Sequence, residues 1–454
     1  MMLIAGLPAI AQETNDTMMK ITVTGTKSES TVKDYAGSVN VIDKEDYDKS
    51  PSVDIRNLLK DVPGVTTRKT TRNGVRGTPG ISDVNIRGLD GDRILLLIDG
   101  IRLPDRYELG VYYNLGQGDY VDFSFLKSIE IIKGSISSLY GSDALGGLIY
   151  YRTLEPYDIL QGDSDFNVEI PINYFSENDG RSFSNKIAVK LSEKLSALFI
   201  YTNEVSAATR VPAPAKYIDE TDNYGDNLLF NLQYDFNDLS SLNVVVEDIN
   251  RSSRIISSQA NLENMSGFYD EMISNTITER TRVSAKYSYE ADDDSAFINK
   301  AQSTIFWQEG NVNDNFRREG EIQRQDKIYN LTNKLMGINA DFNTNMTLFN
   351  DTHRLSYGFD VSENDGSRTR NTINLNTGEG VLEKDTPDTK TLRGGIYLQD
   401  QFSSGDFDFS AGLRYDYYSL DSKMDDDYNI RDSETVEAAD DSYQVVTPKL
   451  TISY

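Results

Sequence analysis

The sequence predicts a mixed α/β domain inside an antiparallel transmembrane β-barrel, and three observations support this fold class. Residues 160–454 alternate apolar and polar side chains with a period of two, as a strand with one apolar face does. The connections between these segments are short and long in turn, as in outer-membrane barrels. Residues 28–153 lack this rhythm and combine glycine-rich turns with short helical and strand-like patterns.

The chain begins with an apolar segment, MMLIAGLPAIAQE, that is typical of the core of a secretory signal peptide. Residues 9–11 read Ala-Ile-Ala, which is an A-x-A cleavage pattern. We therefore expect residues 1–11 to be the remnant of a signal peptide, with a buried strand as the alternative. Residues 12–27 follow as a short polar tail.

Within residues 28–153, short apolar runs and turn residues predict a small mixed sheet with helices. Residues 94–98 and 129–132 predict strands that are buried on both faces. Asp99-Gly100 is expected to form a turn after the first of them. Residues 53–59 have helical spacing, which ends before Pro63-Gly64. A domain of this kind can fill the lumen of a barrel.

The alternating part predicts about twelve strands of about 9–12 residues, the length that a tilted strand needs to cross a bilayer. One segment places five apolar side chains on the same face: Leu228, Phe230, Leu232, Tyr234 and Phe236. Short connections are predicted near 192–194, 237–240, 291–296, 343–352 and 403–406. Long polar connections are predicted near 204–225, 250–279, 309–327, 364–390 and 419–442. A soluble sandwich also alternates, but hardly with this asymmetry of connection length.

Membrane barrels whose lumen holds a folded domain have about 22 strands, and about twelve strands cannot close such a barrel. An open sheet edge in lipid leaves unpaired backbone groups, which is costly. We therefore expect this chain to be the N-terminal part of a longer protein, with about 12 of about 22 strands.

The composition excludes several classes of function. The formal charge of −27 disfavours a nucleic-acid partner, because phosphates attract Lys and Arg. The chain has no cysteine and one histidine, which removes thiolate metal sites and nearly all histidine-based catalysis. We expect no catalytic residues and no resident metal.

Two blocks of sequence carry a specific resemblance to a known family. DVNIRGLDGDRILLLIDGIRLPD (83–105) and LKSIEIIKGSISSLYGSDALGGLIYYRT (126–153) resemble the plug signatures of TonB-dependent outer-membrane receptors, most closely the heme/hemoglobin receptor branch. The resemblance implies that residues 28–153 form a plug domain inside the barrel. More loosely, it extends through the strands to VTPKLTISY (446–454).

The resemblance also implies roles for individual charged residues. Arg87 of the IRG motif, with Glu130 and Lys133 of the second block, would hold the plug to the barrel through charged contacts. The alternative is that these are ordinary surface charges. The sequence departs from the family's usual Arg-Gly-Pro at Lys133, and Lys lacks the bidentate fork of Arg.

The segment KITVTGT (20–26) is similar to the TonB box, with Ile21, Thr22, Val23, Thr24 and Gly25 as its centre. An extended segment of this kind can add a strand to the sheet edge of a partner. The implied partner is TonB, energised by ExbB and ExbD. The alternative is that the segment is the first strand of the plug.

The resemblance implies that the transported ligand is heme, or heme from hemoglobin. It implies no permanent cofactor. The plug sequence has no histidine, so Tyr107, Tyr112 and Tyr113 are the candidate ligand-binding residues, because tyrosine can ligate heme iron. Aromatic packing is their alternative role. His353 follows a short turn that strand counting places on the periplasmic side, which makes it a poor external ligand.

Together these expectations describe an importer of an iron source in the outer membrane of a Gram-negative-type bacterium, and not an enzyme. Import of a ferric siderophore or another scarce nutrient is the alternative. Two further alternatives are a signalling receptor and a passive porin. An extra N-terminal domain would favour the signalling receptor, and a dispensable TonB box would favour the porin.

Overall fold

The computed structural model describes most of the plug and of the strand-rich region. The described residues are 27, 38–49, 55–69, 82–105, 107–108, 114–115, 120–141, 143–160, 162, 164–176, 178–207, 220–257, 270–293, 296–321, 324–349, 351–384, 386–423 and 440–453.

The N-terminal domain is the mixed α/β plug that the sequence predicts. Its strands are β1 (Ser38–Asp43), β2 (Val65–Lys69), β3 (Ser82–Ile86), β4 (Ile94–Ile98), β5 (Ile101–Arg102), β6 (Tyr107–Glu108), β7 (Asn114–Leu115), β8 (Leu126–Lys133) and β9 (Gly147–Thr153). Its helices are α1 (Lys44–Lys49), α2 (Ile55–Leu59), α3 (Ser137–Tyr140) and α4 (Pro156–Ile159). A five-stranded sheet in the order β1-β8-β9-β4-β5 forms its centre, and two strand pairs, β2-β3 and β6-β7, lie apart from it.

Strand β4, which lies beside the central strand β9, is buried on both faces, and this explains its continuous apolar sequence. On one face Ile94, Leu96 and Ile98 pack with α2, and on the other Leu95 and Leu97 pack with residues of β8 and β9. The predicted turn at Asp99-Gly100 is confirmed, with φ values of 50° and 82°. It reverses the chain so that Ile98 pairs with Ile101, and the second position favours glycine because its φ is positive.

A sheet of 14 strands forms the second domain, and consecutive long strands pair antiparallel. Its strands are β10 (Phe166–Glu169), β11 (Ile172–Phe175), β12 (Gly180–Ser192), β13 (Leu195–Ala207), β14 (Glu220–Asn237), β15 (Ser240–Ile256), β16 (Glu271–Glu290), β17 (Lys300–Glu319), β18 (Gln325–Leu348), β19 (Asp351–Asn374), β20 (Gly380–Glu383), β21 (Asp388–Ser404), β22 (Phe407–Lys423) and β23 (Asp441–Ser453). This sheet is the partial barrel that the sequence predicts, and its described strands do not close it.

The alternation in the sequence separates the two faces of this sheet. On β14, Leu228 and Phe230 are about 40% exposed on the outer face, whereas Asn227, Leu229 and Asn231 on the other face are fully buried. An apolar outer face and a polar or plug-covered inner face are what a lipid-embedded barrel requires. Among the described residues, no helix is long and apolar enough to cross a membrane.

The strands are longer than the sequence pattern suggests. β17 has 20 residues, and β18 and β19 have 24 each, against the 9–12 expected. The long connection predicted near 309–327 is therefore wrong, because strand structure continues to Glu319 and resumes at Gln325. The one predicted near 364–390 is wrong for the same reason, because β19 continues to Asn374 and β20 and β21 follow. Beyond the bilayer both faces of a strand meet water, so pairing continues without apolar alternation. The short turns at 193–194, 238–239 and 405–406 agree with the prediction.

Candidate functional site

The clearest contact between plug and barrel is a buried cluster of charges around Asp99. Arg282 of β16 places Nη1 2.9 Å from Oδ2 of Asp99, and the Arg282 side chain is completely buried. Glu247 of β15 accepts from both Arg282, at 2.8 Å, and Arg280, at 2.5 Å. The positive charges of two guanidinium groups are therefore balanced by the negative charges of two carboxylates in the same cluster. Buried charges are tolerated under this condition.

Residues of the plug fix the carboxylate of Asp99 in the turn after β4. The backbone N–H of Thr153 donates to Oδ1 at 2.9 Å, and the Thr153 hydroxyl donates to Oδ2 at 2.8 Å. Burial raises the pKa of Asp99, but Arg282, Lys286 and the Thr153 bonds outweigh it and hold the pKa below its ordinary value. Asp99 is therefore ionised at neutral pH.

A second ion pair lies close to the first, where the plug ends. Lys286 of β16 places Nζ 2.9 Å from Oε1 of Glu155, the residue before α4. Burial raises the pKa of Glu155, but the charge and the hydrogen bond of Lys286 outweigh this effect, so the net pKa is below its ordinary value. Asp99 and Glu155 thus both face cations of the same barrel strand, β16.

Two further aspartates of the plug bind the barrel wall. Asp105 accepts from Arg393 of β21 at 2.9 Å and from Asn364 of β19 at 3.0 Å. Asp122 is buried and accepts from the Thr202 hydroxyl of β13 and from Asn227 of β14. Plug carboxylates consequently contact the inner face of the barrel wall at two separate places, β13–β14 and β19–β21.

The three residues that the resemblance assigned to plug–barrel contacts lie within the plug. Arg87 is exposed, with φ of 53°, in the turn between β3 and β4, and its backbone N–H donates to Gly64. Lys133 donates to the carbonyl of Pro63 at 2.9 Å. Burial and the charge of Arg87 lower the pKa of Lys133. Glu130 is completely buried on the opposite face of β8. Their assigned role stays a prediction.

The other predicted site residues fall mostly outside the described part of the chain. These are the TonB box, Ile21 to Gly25, and Tyr112 and Tyr113. The backbone of Tyr107 lies in β6, which pairs with β7. Lys27, just after the box, is described: its Nζ lies 2.9 Å from Oδ1 of Asp341 on β18.

His353 is buried near the start of β19, and its side chain contacts two residues of the neighbouring strand β21. Its Nδ1 lies 2.8 Å from Oδ2 of Asp400, and its ring stacks on Phe402 with centroids 4.4 Å apart. This location at the short-turn end fits the expectation that His353 is a poor external ligand.

A cavity of about 740 Å³ lies between the plug and the barrel wall. Its lining includes apolar, aromatic and charged side chains from both domains: Leu97, Tyr150, Phe306, Asp341, Arg393 and Asp416. Glu193 and Asp238 also line it, so the cavity reaches the short-turn end of the sheet. Short turns lie on the periplasmic side of outer-membrane barrels.

Comparison with protein families assigns both domains. Residues 31–148 match the TonB-dependent Receptor Plug Domain, and residues 201–454 match the TonB dependent receptor-like, beta-barrel family. The chain belongs to the TonB-dependent receptors, and its location is the outer membrane.

Similar proteins differ in what they bind. The chain is 29% identical over 174 residues to Transferrin-binding protein A of Haemophilus influenzae, covering 37% of this chain and 18% of that protein. It is 35% identical over 126 residues to Heme/hemopexin utilization protein C of the same species, covering 28% of this chain and 16% of that protein.

Solved structures support the fold over nearly the whole chain. The Serratia marcescens hemophore receptor HasR, solved with its hemophore HasA and heme, matches with a TM-score of 0.65 at 16% identity. The unliganded ferric citrate transporter FecA matches with a TM-score of 0.66 at 15% identity. Each match covers 92% of this chain and 60% of that structure. The chain thus spans about three-fifths of the length of these receptors.

The sequence interpretation missed the residues that join the two domains. From the sequence, Asp99 was assigned only to a turn, and Arg282 was given no role. The sequence did contain a signal for this contact. Arg280 and Arg282 lie two residues apart and therefore on the same, lumen-facing side of the strand, where two arginines need carboxylates nearby.

Proposed function

We propose that this chain belongs to an active importer that carries heme, or heme taken from hemoglobin, across the outer membrane. The observation that supports it is the plug seated against the lumen wall and held by ion pairs such as Arg282–Asp99. Contacts of this kind can be exchanged for water when the plug moves, which suits a passage that opens only when energy is supplied.

The energy source in this proposal is TonB, driven by ExbB and ExbD, which would pull on residues 21–25. Arg87, Glu130 and Lys133 are proposed to contact the barrel in the complete receptor. Tyr107, Tyr112 and Tyr113 are proposed to contact the ligand. The protein has no permanent cofactor in this proposal, and heme is cargo.

Import of a ferric siderophore is the second candidate. The sequence of the plug contains no histidine, and the single histidine of the chain, His353, is paired with Asp400 at the periplasmic end. The similarity in fold to FecA, which is named a ferric citrate transporter, is compatible with this candidate.

Growth of a receptor-deletion strain on single iron sources tests the proposal. Restoring the gene should restore growth on hemin or hemoglobin, and deleting residues 20–26 should abolish it again. Growth on ferric citrate alone would favour the second candidate. A titration of the complete receptor with hemin should give a saturable Soret shift, and its absence would exclude heme as the direct ligand.

A further inference from the structure

Four basic side chains form a row across the inner face of strands β17, β18 and β19. The row consists of Arg318, Lys327, Arg370 and Arg368. We call it the basic row. Contacts with the plug identify this face of the sheet, because Val312 and Leu331 pack with Tyr120 of the plug. On β19, Asn364 donates to Asp105 of the plug. The cations lie at even spacing from these residues on each strand and therefore on the same face.

The strand register makes the cations of the row neighbours. Lys327 of β18 pairs with Phe316 of β17 and with Thr372 of β19. Arg318 and Arg370 each lie two residues from one of these partners, so both are diagonal neighbours of Lys327, about 7–8 Å away. The fourth cation lies two residues before Arg370 on β19, at about 7 Å. The row is therefore continuous across three strands.

The basic row lies toward the external end of the sheet. The short turn between Leu348 and Asp351 marks the periplasmic end of β18 and β19. The row lies near the opposite ends of these strands, close to Gln325 and Asn374. The packing of Tyr120 against the wall adjoins the periplasmic end of the row. A ligand that enters from outside would therefore meet the basic row at the level of the first plug contacts.

The row concentrates positive charge in a chain with 72 acidic and 45 basic residues. The surrounding stretch of the three strands comprises residues 312–318, 327–333 and 366–372. On its inner face, Asp314 is the one carboxylate among the described side chains, and it accepts from the hydroxyls of Ser274 and Thr276. The four cations are only 1–9% exposed, so an anion beside them is attracted more strongly than in bulk water. Each cation has other interactions within the chain, which a bound anion would share.

Aromatic side chains of the same face orient two of the arginines. Cζ of Arg318 lies 4.5 Å from the centre of the Phe316 ring, and Cζ of Arg368 lies 5.5 Å from the centre of the Tyr329 ring. A ring against the flat side of a guanidinium leaves the N–H groups at its edge able to bind a carboxylate. Asn333, a diagonal neighbour of Arg368, is 2% exposed, and its Nδ2 has no hydrogen-bond partner among the described residues. A ligand oxygen can satisfy this buried donor.

We propose that the basic row binds the carboxylates of the imported ligand, and that this ligand is an iron complex with several carboxylates. The inference rests on the proposed import function and names the chemical class of the cargo. Arginine and lysine form charge-assisted hydrogen bonds with carboxylates, and a row of cations can bind several of them at once. Hemin carries propionate groups and ferric citrate carries the carboxylates of citrate, so both candidate cargoes belong to this class.

Hemin and its dimethyl ester test the role of the carboxylates, because they share the iron and the ring and differ in free carboxylates. In a Soret titration, the complete receptor should bind hemin at least about tenfold more tightly than the ester. K327Q/R370Q removes two neighbouring charges of the row. This variant should bind hemin at least about tenfold more weakly than the wild type does, and its affinity for the ester should be unchanged.

The matched control is K334Q on the same strand. Lys334 is 50% exposed on the outer face, where it pairs with Glu309, so K334Q should bind hemin as the wild type does. K327R/R370K keeps both charges of the row and should keep most of the affinity, which separates loss of charge from damage to folding. Equal affinity of the wild type for hemin and its ester would overturn the proposal, as would undiminished hemin binding by K327Q/R370Q.

Ferric citrate labelled with radioactive iron separates this proposal from heme import itself. If the wild type bound ferric citrate but not hemin, and K327Q/R370Q bound it at least about tenfold more weakly, the basic row would be supported and heme import contradicted. If the wild type and K327Q/R370Q bound hemin equally, heme import would stand and the role of the row would be overturned. Binding of neither ligand by the wild type would contradict both.

Discussion

Arg282 of the barrel lies 2.9 Å from Asp99 of the plug, and the arginine side chain has no exposed surface. Asp99 sits in a two-residue turn, so the position of its carboxylate depends on the backbone of the plug sheet. Arg282 belongs to one of the long strands of the barrel. The pair therefore joins the plug to the barrel at a point where the arginine is fully buried and the aspartate is 20% exposed.

Asp99→Asn should weaken this junction strongly. Asparagine is nearly the same size, but it leaves Arg280 and Arg282 with Glu247 as the remaining carboxylate of the cluster. Breaking one side of a buried ion pair costs about 3–5 kcal/mol. The free energy of plug unfolding, measured by urea titration in detergent, should therefore fall by about 3–5 kcal/mol. Asp90→Asn is the control, because it removes an exposed ion pair with Arg93. It should change the free energy of plug unfolding little.

A second substitution at the same cluster separates charge from packing. Arg282→Met added to Asp99→Asn removes both partners, so the double variant should be more stable than the sum of the single losses predicts. A double-mutant cycle in the same urea experiment measures this coupling. Additive losses would show that the two residues act independently.

The pH dependence of plug stability should follow Asp99 and Glu155. Both pKa values lie below the ordinary 3.8 and 4.5 in the folded state. The unfolded chain therefore binds protons first as the pH falls. The stabilisation is complete above the ordinary values and is lost as the pH falls through the lower, folded-state values. Unfolding free energies measured from neutral pH to about pH 3 should fall steeply in the wild type. The double variant Asp99→Asn and Glu155→Gln should show a flatter profile, and an equally steep one would assign the acid sensitivity to other groups.

The fold was predictable because lipid imposes a simple rule on the sequence. Leu228 and Phe230 face outward, whereas their chain neighbours Asn227 and Asn231 face inward, so alternation alone identifies the strand. The ends of the strands were not predictable in the same way. Residues 313–319 of β17 are polar except for the buried Phe316, so they show no apolar alternation, and backbone pairing holds them in the sheet.

The contacts between the domains were harder to predict than the domains. Asp99 and Arg282 are 183 residues apart, and no local pattern links them. The motif residues Arg87 and Lys133 were found by resemblance, but a motif does not give the partner of each charge. Which lumen-facing cation meets which plug carboxylate depends on how the plug is rotated in the barrel.

Gly358 of β19 should tolerate no side chain. A Cβ there would overlap the carbonyl oxygen of Ala340 and would lie 2.9 Å from the Tyr397 ring. Gly394 of the neighbouring β21 is the matched control, because its nearest neighbours would be 3.9 Å away. Gly358→Ala should destabilise the barrel by about 1–3 kcal/mol in guanidinium unfolding, and Gly394→Ala should cost clearly less. Equal losses would mean that the strands shift to admit the methyl group.

Leu154→Ala should loosen the plug from the β12–β15 wall. Leu154 is completely buried, and its side chain packs in the cluster that joins Phe125 and Ile159 of the plug to the barrel. Truncating a buried leucine costs about 2–5 kcal/mol, because the transfer energy is lost and a cavity remains. Limited proteolysis of the folded protein should cleave the variant plug faster than the wild type. Leu145→Ala, at a position that is 54% exposed, should leave the cleavage rate unchanged. If Leu154→Ala were equally resistant, polar contacts such as Arg282–Asp99 alone would account for the attachment of the plug.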